Sequence, residues 1–273
     1  MEGLFVIGDI HGEYNMLEKL LLKWNPDNQR LVFLGDYIDR GLDSYKVLQC
    51  VMGLKKEYGA ITIGGNHESN FLGWLENPED EWFKLWKEDE SLINEYKEIM
   101  GSSSVIFYGE DIKGYKTINS FYGKNRAFTS VPSEHAKYIK DNFCEEVNFL
   151  KKLIPYYEFN KYVFVHAGVD FEQTDWKNTT KYDMCNIRKK FHNGENKTGK
   201  TFIFGHHPTR NFHSNKSNDI WVSSCKTKIG IDGGAAYKGL LHGLIIENEN
   251  LIVHSIDNKG NHEMKYVGLK EGK

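Results

Sequence analysis

Residues 4–12 read LFVIGDIHG: four apolar residues, then an aspartate and a histidine bounded by glycines. A continuous apolar run of this length is typical of a strand that is buried on both faces of its sheet. The same pattern, an apolar run that ends in a polar and glycine-containing cluster, recurs at residues 31–41, 60–68, 162–168, 201–208 and 229–234. We therefore predict six buried strands that present polar side chains at their carboxyl ends.

Helical periodicity separates these strands. Apolar residues at three- and four-residue spacing predict a helix over 13–24. Two more helices are expected over 44–58, with Ser44 as the N-cap, and over 133–153. The alternation of strands and helices predicts an α/β fold, in which ligands bind beyond the carboxyl ends of the strands.

The rest of the chain gives no sign of a second folding unit. The runs 241–247 and 251–256 predict an antiparallel hairpin, and we expect a single domain over 1–273. Residues 71–100 contain three tryptophans, with nine acidic residues against three lysines between 76 and 98. We predict a helical insert that packs as a cap through its tryptophans; a lid that faces a substrate or partner is the alternative.

The overall composition excludes several classes of protein. A formal net charge of −3 over 273 residues excludes a broadly basic nucleic-acid binder. Four cysteines without a CxxC spacing form neither a disulfide framework nor a zinc knuckle. The sequence shows no signal peptide and no apolar stretch of about 20 residues. We therefore expect a cytoplasmic protein that binds neither nucleic acid nor a membrane.

The polar side chains at the strand ends include six that can bind a metal ion. They are Asp9, His11, Asp36, Asn66, His166 and His206. Carboxylates, imidazoles and one amide without a thiolate suit a first-row divalent ion such as manganese, iron or zinc. Six ligands are too many for one ion that keeps an open position, so we predict two ions, with Asp36 as the bridging carboxylate.

Five ordered motifs carry a resemblance to a known family. They are GDIHG at 8–12, GDYIDRG at 35–41, GNHE at 65–68, HAG at 166–168 and GH at 205–206. Together they resemble the phosphoprotein phosphatase family of metallophosphoesterases, and the length is similar to that of its small bacterial and bacteriophage-lambda-type members. The resemblance implies a calcineurin-like sandwich of two mixed β-sheets flanked by helices, with the active site at the carboxyl ends of the strands.

The resemblance also implies a ligand set and a bridging hydroxide as nucleophile. The first metal would be held by Asp9, His11 and Asp36, and the second by Asp36, Asn66, His166 and His206. We predict two divalent ions, manganese first, with iron or zinc as alternatives.

The same resemblance implies roles for residues that bind no metal. His67 becomes the general acid, Asp39 the carboxylate that orients it, and Arg40 a phosphate clamp. A second phosphate-binding arginine is expected, and Arg188, which lies between the two late histidine motifs, is preferred to Arg126. Asn66 and Tyr237 are expected to face the substrate together with these arginines, although a core position is an alternative for Tyr237.

Two positions depart from the family pattern. His207 stands where the family commonly has threonine, and we expect it outside the ligand shell, with an added ligand or an indirect donor as the alternative. Asp232 lies in a glycine-containing stretch, IDGG at 231–234, where the family has IDTG. We expect Asp232 to support the site rather than bind metal.

These residues predict a metal-dependent phosphomonoester hydrolase, and we favour a serine/threonine protein phosphatase with a phosphorylated protein or peptide as its partner. The alternative is hydrolysis of a dinucleoside tetraphosphate (Ap4A type), whose anhydride leaving group needs less help from an acid. A binding module without catalysis is disfavoured because the ligand set, His67 and Arg40 are all present. A nuclease is disfavoured because an acidic chain repels polyphosphate.

Overall fold

The computed structural model describes residues 3–79, 113–122, 132–248 and 250–268. Within these residues the strands form one sheet of six strands and one of five. In chain order the strands are β1 (Gly3–Ile7), β2 (Gln29–Phe33), β3 (Ile61–Thr62), β4 (Tyr156–Phe159), β5 (Tyr162–Val165), β6 (Thr201–Phe204), β7 (Trp221–Val222), β8 (Lys228–Gly230), β9 (Leu240–Glu247), β10 (Asn250–Asp257) and β11 (His262–Tyr266).

Helices cover the outer faces of both sheets. The described helices are α1 (Tyr14–Leu21), α2 (Ser44–Tyr58), α3 (Asn66–Glu76), α4 (Lys113–Tyr122), α5 (Pro132–Asn142), α6 (Cys144–Lys151), α7 (Lys181–Asn186) and α8 (Lys189–Asn193). Short 3₁₀ turns lie at Trp176–Asn178, Thr209–Asn211 and Ala235–Tyr237. None of the helices described is both long and apolar enough to cross a membrane.

Both sheets are mixed, which confirms the predicted fold class. The first has the order β11-β10-β9-β1-β2-β3, in which β1, β2 and β3 are parallel and β9 is antiparallel to β1. The second has the order β4-β5-β6-β8-β7, in which β5, β6 and β8 are parallel. Because the parallel strands of a sheet end at the same edge, the segments after β1 and β2 lie together, as do those after β5, β6 and β8.

The alternation of side chains along the strands separates the core into layers. Leu4 and Val6 of β1 point toward the second sheet and pack in one cluster with Phe164, Ile203 and Ile229. Their neighbours point the other way: Phe5 and Ile7 belong to the cluster that contains Leu17 and Leu20 of α1. The outer face of the second sheet is covered by Trp176, Met184 and Phe191. Both faces of the central strands are therefore buried, as their apolar sequences predicted.

Two helix expectations differ from the structure, and the predicted hairpin is confirmed with one more strand. The helix predicted over 133–153 is two helices, α5 and α6, which change direction at Phe143, a residue with non-helical backbone angles (φ −130°). The N-cap of α2 is Asp43 and not Ser44, whose hydroxyl accepts a hydrogen bond from the backbone of Asp39 instead. The predicted hairpin is confirmed as β9 and β10, and β11 extends it.

The helical insert predicted over 71–100 falls mostly outside the described residues. Its first six residues belong to α3, which begins at Asn66, a short turn after β3. Trp74 of this helix stacks on Phe71, at 5.8 Å between ring centroids, and packs against the core cluster. Residues 80–100, with the other two tryptophans, lie beyond the described range, so the cap remains a prediction.

A buried histidine makes the stability of this fold sensitive to acid. His242 of β9 donates from Nε2 to the carbonyl of Asn218 (2.7 Å), and its Nδ1 accepts from the hydroxyl of Ser255 (2.8 Å). Burial lowers the pKa of His242 to about 4. The unfolded imidazole takes up its proton near the ordinary histidine pKa of 6.5, so the unfolded state gains protons first and stability falls as the pH drops from 6.5 toward 4.

We expect this group alone to remove about 2–3 kcal/mol of unfolding free energy between pH 7 and pH 4.5. Denaturant titrations with excess chelator, for the wild type and for His242→Gln, measure the contribution as the difference between their acid-induced losses. The variant should have a lower unfolding free energy than the wild type at pH 7, and its unfolding free energy should fall less on acidification. Equal losses would show that His242 does not contribute, because every other histidine is common to both proteins.

Candidate metal centre

The six predicted ligands come together at one edge of the two sheets. Asp9 and His11 follow β1, Asp36 follows β2, Asn66 is the first residue of α3, His166 follows β5 and His206 follows β6. All are buried except the half-buried Asn66. The two sheets are joined at this edge, since Asp9 Oδ2 accepts a hydrogen bond from the backbone N–H of His206 (2.8 Å).

Asp36 lies at the centre of the group. Its Oδ2 is 3.4 Å from Nε2 of His11, and its Oδ1 is 3.4 Å from Nε2 of His166. Among the described residues, two sets of three potential ligands have donor atoms within 4.8 Å of one another, and Asp36 belongs to both: one adds His11 and His67, the other His166 and His206. Asp36 is thus shared as a bridging ligand would be, but the first set contains His67, which was predicted as the acid, and not the predicted ligand Asp9.

The histidine side chains are held so that one ring nitrogen faces Asp36. Nδ1 of His11 donates to the carbonyl of Ile38 (2.8 Å), and Nδ1 of His166 donates to that of Leu34 (2.9 Å). These bonds direct the Nε2 atoms toward the centre, which is how backbone carbonyls commonly orient metal-binding histidines. Asn66 Oδ1 completes the second group, at 3.2 Å from His166 Nε2 and 2.9 Å from His206 Nδ1.

The electrostatics of the group favour a cation. Burial raises the pKa of Asp36, but the charges of His166 and His67 outweigh burial and hold it well below its usual range. Burial lowers the pKa of His166, but the charge of Asp36 overcomes that effect and raises it to about 9. The positive charge of the protonated His166 is stabilised by the negative charge of Asp36. A metal ion bound by these residues would be stabilised by the same negative charge.

An unpartnered carboxylate oxygen and tight backbone approach also fit a metal site. Oδ1 of Asp9 is buried without a hydrogen-bond partner, which is uncommon for a buried polar atom. A side chain at Gly205 would collide with the carboxylate of Asp9, and one at Gly65 with that of Asp36. The donors present therefore fit the two divalent ions predicted from the sequence.

Glu68 holds the loop that carries Asp36. Its Oε2 accepts from the N–H groups of Asp36 and Gly65 (both 2.9 Å), and its Oε1 accepts from the N–H of Tyr37 (2.7 Å). Glu68 is 1% exposed, and burial together with the charge of Asp36 raises its pKa to about 7. Glu68 belongs to the motif at 65–68 but had no predicted role, although a glutamate at the third position of a helix commonly reaches back to the N-cap.

The predicted acid and its orienting carboxylate are in contact. Nδ1 of His67 lies 2.6 Å from Oδ2 of Asp39, and Nε2 of His67 lies 3.9 Å from Oδ2 of Asp36. Both His67 and Asp39 are buried. The imidazole is therefore fixed at one nitrogen, and its other nitrogen is directed toward Asp36, a predicted metal ligand.

The predicted phosphate-binding residues lie around the same centre. The guanidinium of Arg40 contacts the imidazole of His11 and lies 5.1 Å from the ring centroid of Tyr237. Arg188 is exposed, and its Nη1 lies 3.4 Å from Nδ1 of His207. Arg126 lies outside the described residues.

The two departures from the family pattern occupy separate positions. His207 contacts Arg188 and belongs to neither of the two ligand groups found among the described residues. Oδ1 of Asp232 accepts from the backbone N–H of Gly234 (2.9 Å), and burial raises the pKa of Asp232 to about 6. These contacts are consistent with the supporting role expected for Asp232.

Comparison with known proteins points to one family. The family described as calcineurin-like phosphoesterase matches residues 4–233. Bis(5'-nucleosyl)-tetraphosphatase PrpE of Oceanobacillus iheyensis is 43% identical over an alignment of 72 residues, with coverage of 23% of this chain and 29% of that protein. Serine/threonine-protein phosphatase 1 of Salmonella typhimurium is 40% identical over 91 residues, or 29% of this chain and 40% of that protein. The chain thus aligns with less than half the length of each.

The fold has relatives among solved structures. The cold-active protein-tyrosine phosphatase of a psychrophilic Shewanella species superposes with a TM-score of 0.53, over 97% of this chain and 80% of that one. At 16% identity this likeness concerns the fold alone. The family match confirms the resemblance that the five sequence motifs carried and the calcineurin-like class of fold.

We expect Glu68→Gln to weaken metal binding although Glu68 is not a ligand. The amide nitrogen of glutamine cannot accept the hydrogen bonds that one carboxylate oxygen accepts now, so the Asp36 loop loses part of its support. Loss of such a supporting group typically costs about 10–100-fold in metal affinity. Titration calorimetry with Mn²⁺ measures the change.

Glu76→Gln is the matched control, because Glu76 lies on the same helix but forms an exposed ion pair with Lys151 (3.2 Å). It should bind Mn²⁺ as the wild type does. Wild-type affinity in Glu68→Gln, with an unchanged circular dichroism spectrum, would contradict the role of Glu68.

Proposed function

Because this chain belongs to the calcineurin-like phosphoesterase family, we propose that it is a metal-dependent phosphomonoester hydrolase that removes phosphate from serine and threonine side chains of proteins. The observation that carries the proposal is the buried hydrogen bond between His67 and Asp39, which lies beside Asp36. An alkoxide leaving group needs a proton, and this pair can supply one.

The proposed ligands are the six side chains that meet around Asp36. Asp9, His11 and Asp36 would hold one ion, and Asp36, Asn66, His166 and His206 the other. Manganese is the proposed metal, with iron and zinc as alternatives, because the donors are carboxylate, imidazole and amide groups. When bound, such a metal pair supplies Lewis acidity and an activated water as the nucleophile.

His67 has the geometry of a general acid. Its Nδ1 donates to Asp39 (2.6 Å), so a proton on Nε2 would face the reacting centre. In the proposed reaction His67 donates that proton to the departing oxygen of serine or threonine. Asp39 keeps the ring in place and stabilises the imidazolium before the transfer, as a carboxylate partner does for a catalytic histidine.

The arginines would bind the phosphoryl oxygens. A guanidinium presents donors in a planar fork that matches two phosphate oxygens. Arg40 lies beside His11 and Tyr237, and Arg188 lies beside His207, next to the ligand His206. We propose that they hold the substrate phosphate from two sides, with Asn66 and Tyr237 also facing it.

Hydrolysis of a dinucleoside tetraphosphate is the second candidate, because one of the relatives is named for that activity and the comparisons support the two reactions equally. The leaving group of an anhydride is a good one and needs little protonation. The buried His67–Asp39 pair therefore favours the monoester.

We also propose the cytoplasmic location that was predicted from the cysteines and from the absence of a signal peptide and of a long apolar stretch in the sequence. The four cysteines are free thiols.

A substrate panel tests the proposal directly. The purified protein is assayed with phosphoserine and phosphothreonine peptides, phosphotyrosine peptide, para-nitrophenyl phosphate and diadenosine tetraphosphate, each with Mn²⁺ and with chelator. We expect Mn²⁺-dependent release of phosphate from the serine and threonine peptides. Activity confined to the dinucleotide would establish the second candidate.

His67→Asn should separate proton donation from metal binding. We expect kcat to fall by about 10²–10⁴-fold on a phosphoserine peptide, the range usual for general acid catalysis. The loss should be much smaller on para-nitrophenyl phosphate, whose leaving group needs no proton, and metal content should stay unchanged. His262→Asn, at an exposed position on β11, is the control. Equal losses on both substrates would assign His67 another role.

Arg188→Ala tests the second phosphate clamp. Removing a charged donor that stabilises the transition state should cost about 2–4 kcal/mol, as the loss of an oxyanion-hole donor does. We therefore expect a large drop in kcat/KM on a phosphopeptide at saturating Mn²⁺. Lys189→Ala, at the exposed neighbouring position, should stay close to the wild type. If Arg126→Ala is the impaired variant instead, the assignment passes to Arg126.

A further inference from the structure

We propose that Thr117 of α4 is a positioning residue that sets the orientation of the Asp39 carboxylate and, through it, of the His67 imidazole. This inference rests on the proposed role of His67. It adds a residue that lies 78 positions after Asp39 in the chain and outside every motif of the sequence analysis. The hydrogen bonds of Thr117 among the described residues that lie outside the helical backbone ladder join it to Asp39, Ser44 and Ser120, none of which is a proposed metal ligand, so it would act through Asp39.

One hydroxyl holds both the backbone and the side chain of Asp39. Thr117 Oγ1 donates to Asp39 Oδ1 (2.6 Å) and accepts from the backbone N–H of Asp39 (2.9 Å). The other carboxylate oxygen, Oδ2, contacts Nδ1 of His67 (2.6 Å). The carboxylate is thus held between a hydroxyl on one oxygen and an imidazole on the other, so its plane cannot rotate without breaking one of these bonds.

The hydrogen assignments around this hydroxyl are determined by its neighbours. The only proton of Thr117 Oγ1 goes to the carboxylate, so the hydroxyl of Ser44, 3.2 Å away, must donate to Thr117. Ser44 Oγ also accepts from the N–H of Asp39 (3.1 Å), which the two hydroxyls share. Thr117 and Ser44 are both fully buried, so water cannot replace either partner.

The backbone at this point needs external support. Asp39 and Arg40 have φ angles of 69° and 68°, in the left-handed region that residues other than glycine rarely adopt. Such a conformation persists only when surrounding contacts impose it. Thr117 supplies such contacts at Asp39, and Lys116 Nζ donates to the carbonyl of Arg40 (3.3 Å).

Helix α4, from a later part of the chain, therefore contacts the loop that carries Asp39. Besides Thr117 and Lys116, its Ser120 accepts from the backbone N–H of Tyr45 through Oγ (3.0 Å). Each of these three side chains contacts a residue between 39 and 45. Thr117 is the member of this set that touches the carboxylate, so its removal should affect the acid specifically.

Thr117→Val tests the inference, because valine keeps the shape of threonine and loses the hydroxyl. We expect kcat on a phosphoserine peptide to fall about 10–100-fold, less than removal of the acid itself would cost. The change on para-nitrophenyl phosphate should be within about threefold, since that leaving group needs no proton. KM and Mn²⁺ content should be unchanged. Thr117→Ser, which keeps the hydroxyl, should restore the peptide activity.

Two controls separate positioning from a general structural role. Ser120→Ala removes a bond of the same helix to the same loop but not to Asp39, and it should retain the wild-type ratio of peptide to aryl activity. In a His67→Asn background, Thr117→Val should cause no further loss, because residues that act through one group are not additive. Equal losses on both substrates, failure of the serine variant, or additive losses would overturn the proposal.

A readout without substrate distinguishes this inference from the proposed function. The His67 Nδ1 proton, shared with Asp39 at 2.6 Å, should give a low-field proton resonance in the NMR spectrum of the Zn²⁺-loaded protein, because paramagnetic Mn²⁺ would broaden the signal. That resonance should move upfield or disappear in Thr117→Val and persist in Thr117→Ser and Ser120→Ala. If the wild type hydrolyses no phosphomonoester, the proposed function fails, while this measurement still decides whether Thr117 positions the pair. An unchanged resonance in Thr117→Val would refute it.

Discussion

The buried negative charge of Asp36 is the constraint on which the rest of this structure depends. Only 1% of Asp36 is exposed, and an isolated carboxylate at such a position would be too costly to keep ionised. Imidazoles face both of its oxygens at 3.4 Å, and the charges of His166 and His67 outweigh the effect of burial on its pKa. The site is therefore built to receive positive charge, as protons or as metal ions.

Placing that carboxylate requires loops with unusual backbone conformations. Asp36, His11 and His206 all have positive φ angles, although none is glycine. The parallel strands deliver each of these loops to the same edge, and buried hydrogen bonds from Glu68 hold the one that contains Asp36. The sheets thus bring the loops to one edge, while Glu68 of α3 fixes the backbone conformation of the loop that contains Asp36.

The proposed acid is also held by hydrogen bonds from another segment, but that segment lies farther along the chain. The His67–Asp39 pair is local to the motifs at 35–41 and 65–68, whereas the hydroxyl that fixes Asp39 belongs to α4. Phosphomonoester cleavage and anhydride cleavage differ in how much they need this pair. Both candidate reactions would use the metal ligands, but the monoester reaction depends more on the acid. The orientation of Asp39 therefore bears more directly on the choice between the two reactions than the metal ligands do.

The sequence by itself determined the α/β class, the central strands and the set of potential ligands. These follow from local features: an uninterrupted apolar run marks a buried strand, and the residue type at its end limits the chemistry there. The helix over 44–58 and the C-terminal hairpin were predictable for the same reason. The break at Phe143, the use of Ser44 to bind Asp39 instead of capping α2, and the roles of Glu68 and Thr117 were decided by the tertiary structure. The contacts of Ser44, Glu68 and Thr117 depend on which polar group finds a partner once distant segments pack, and no local pattern in the chain records Asp39 or the Asp36 loop as that partner.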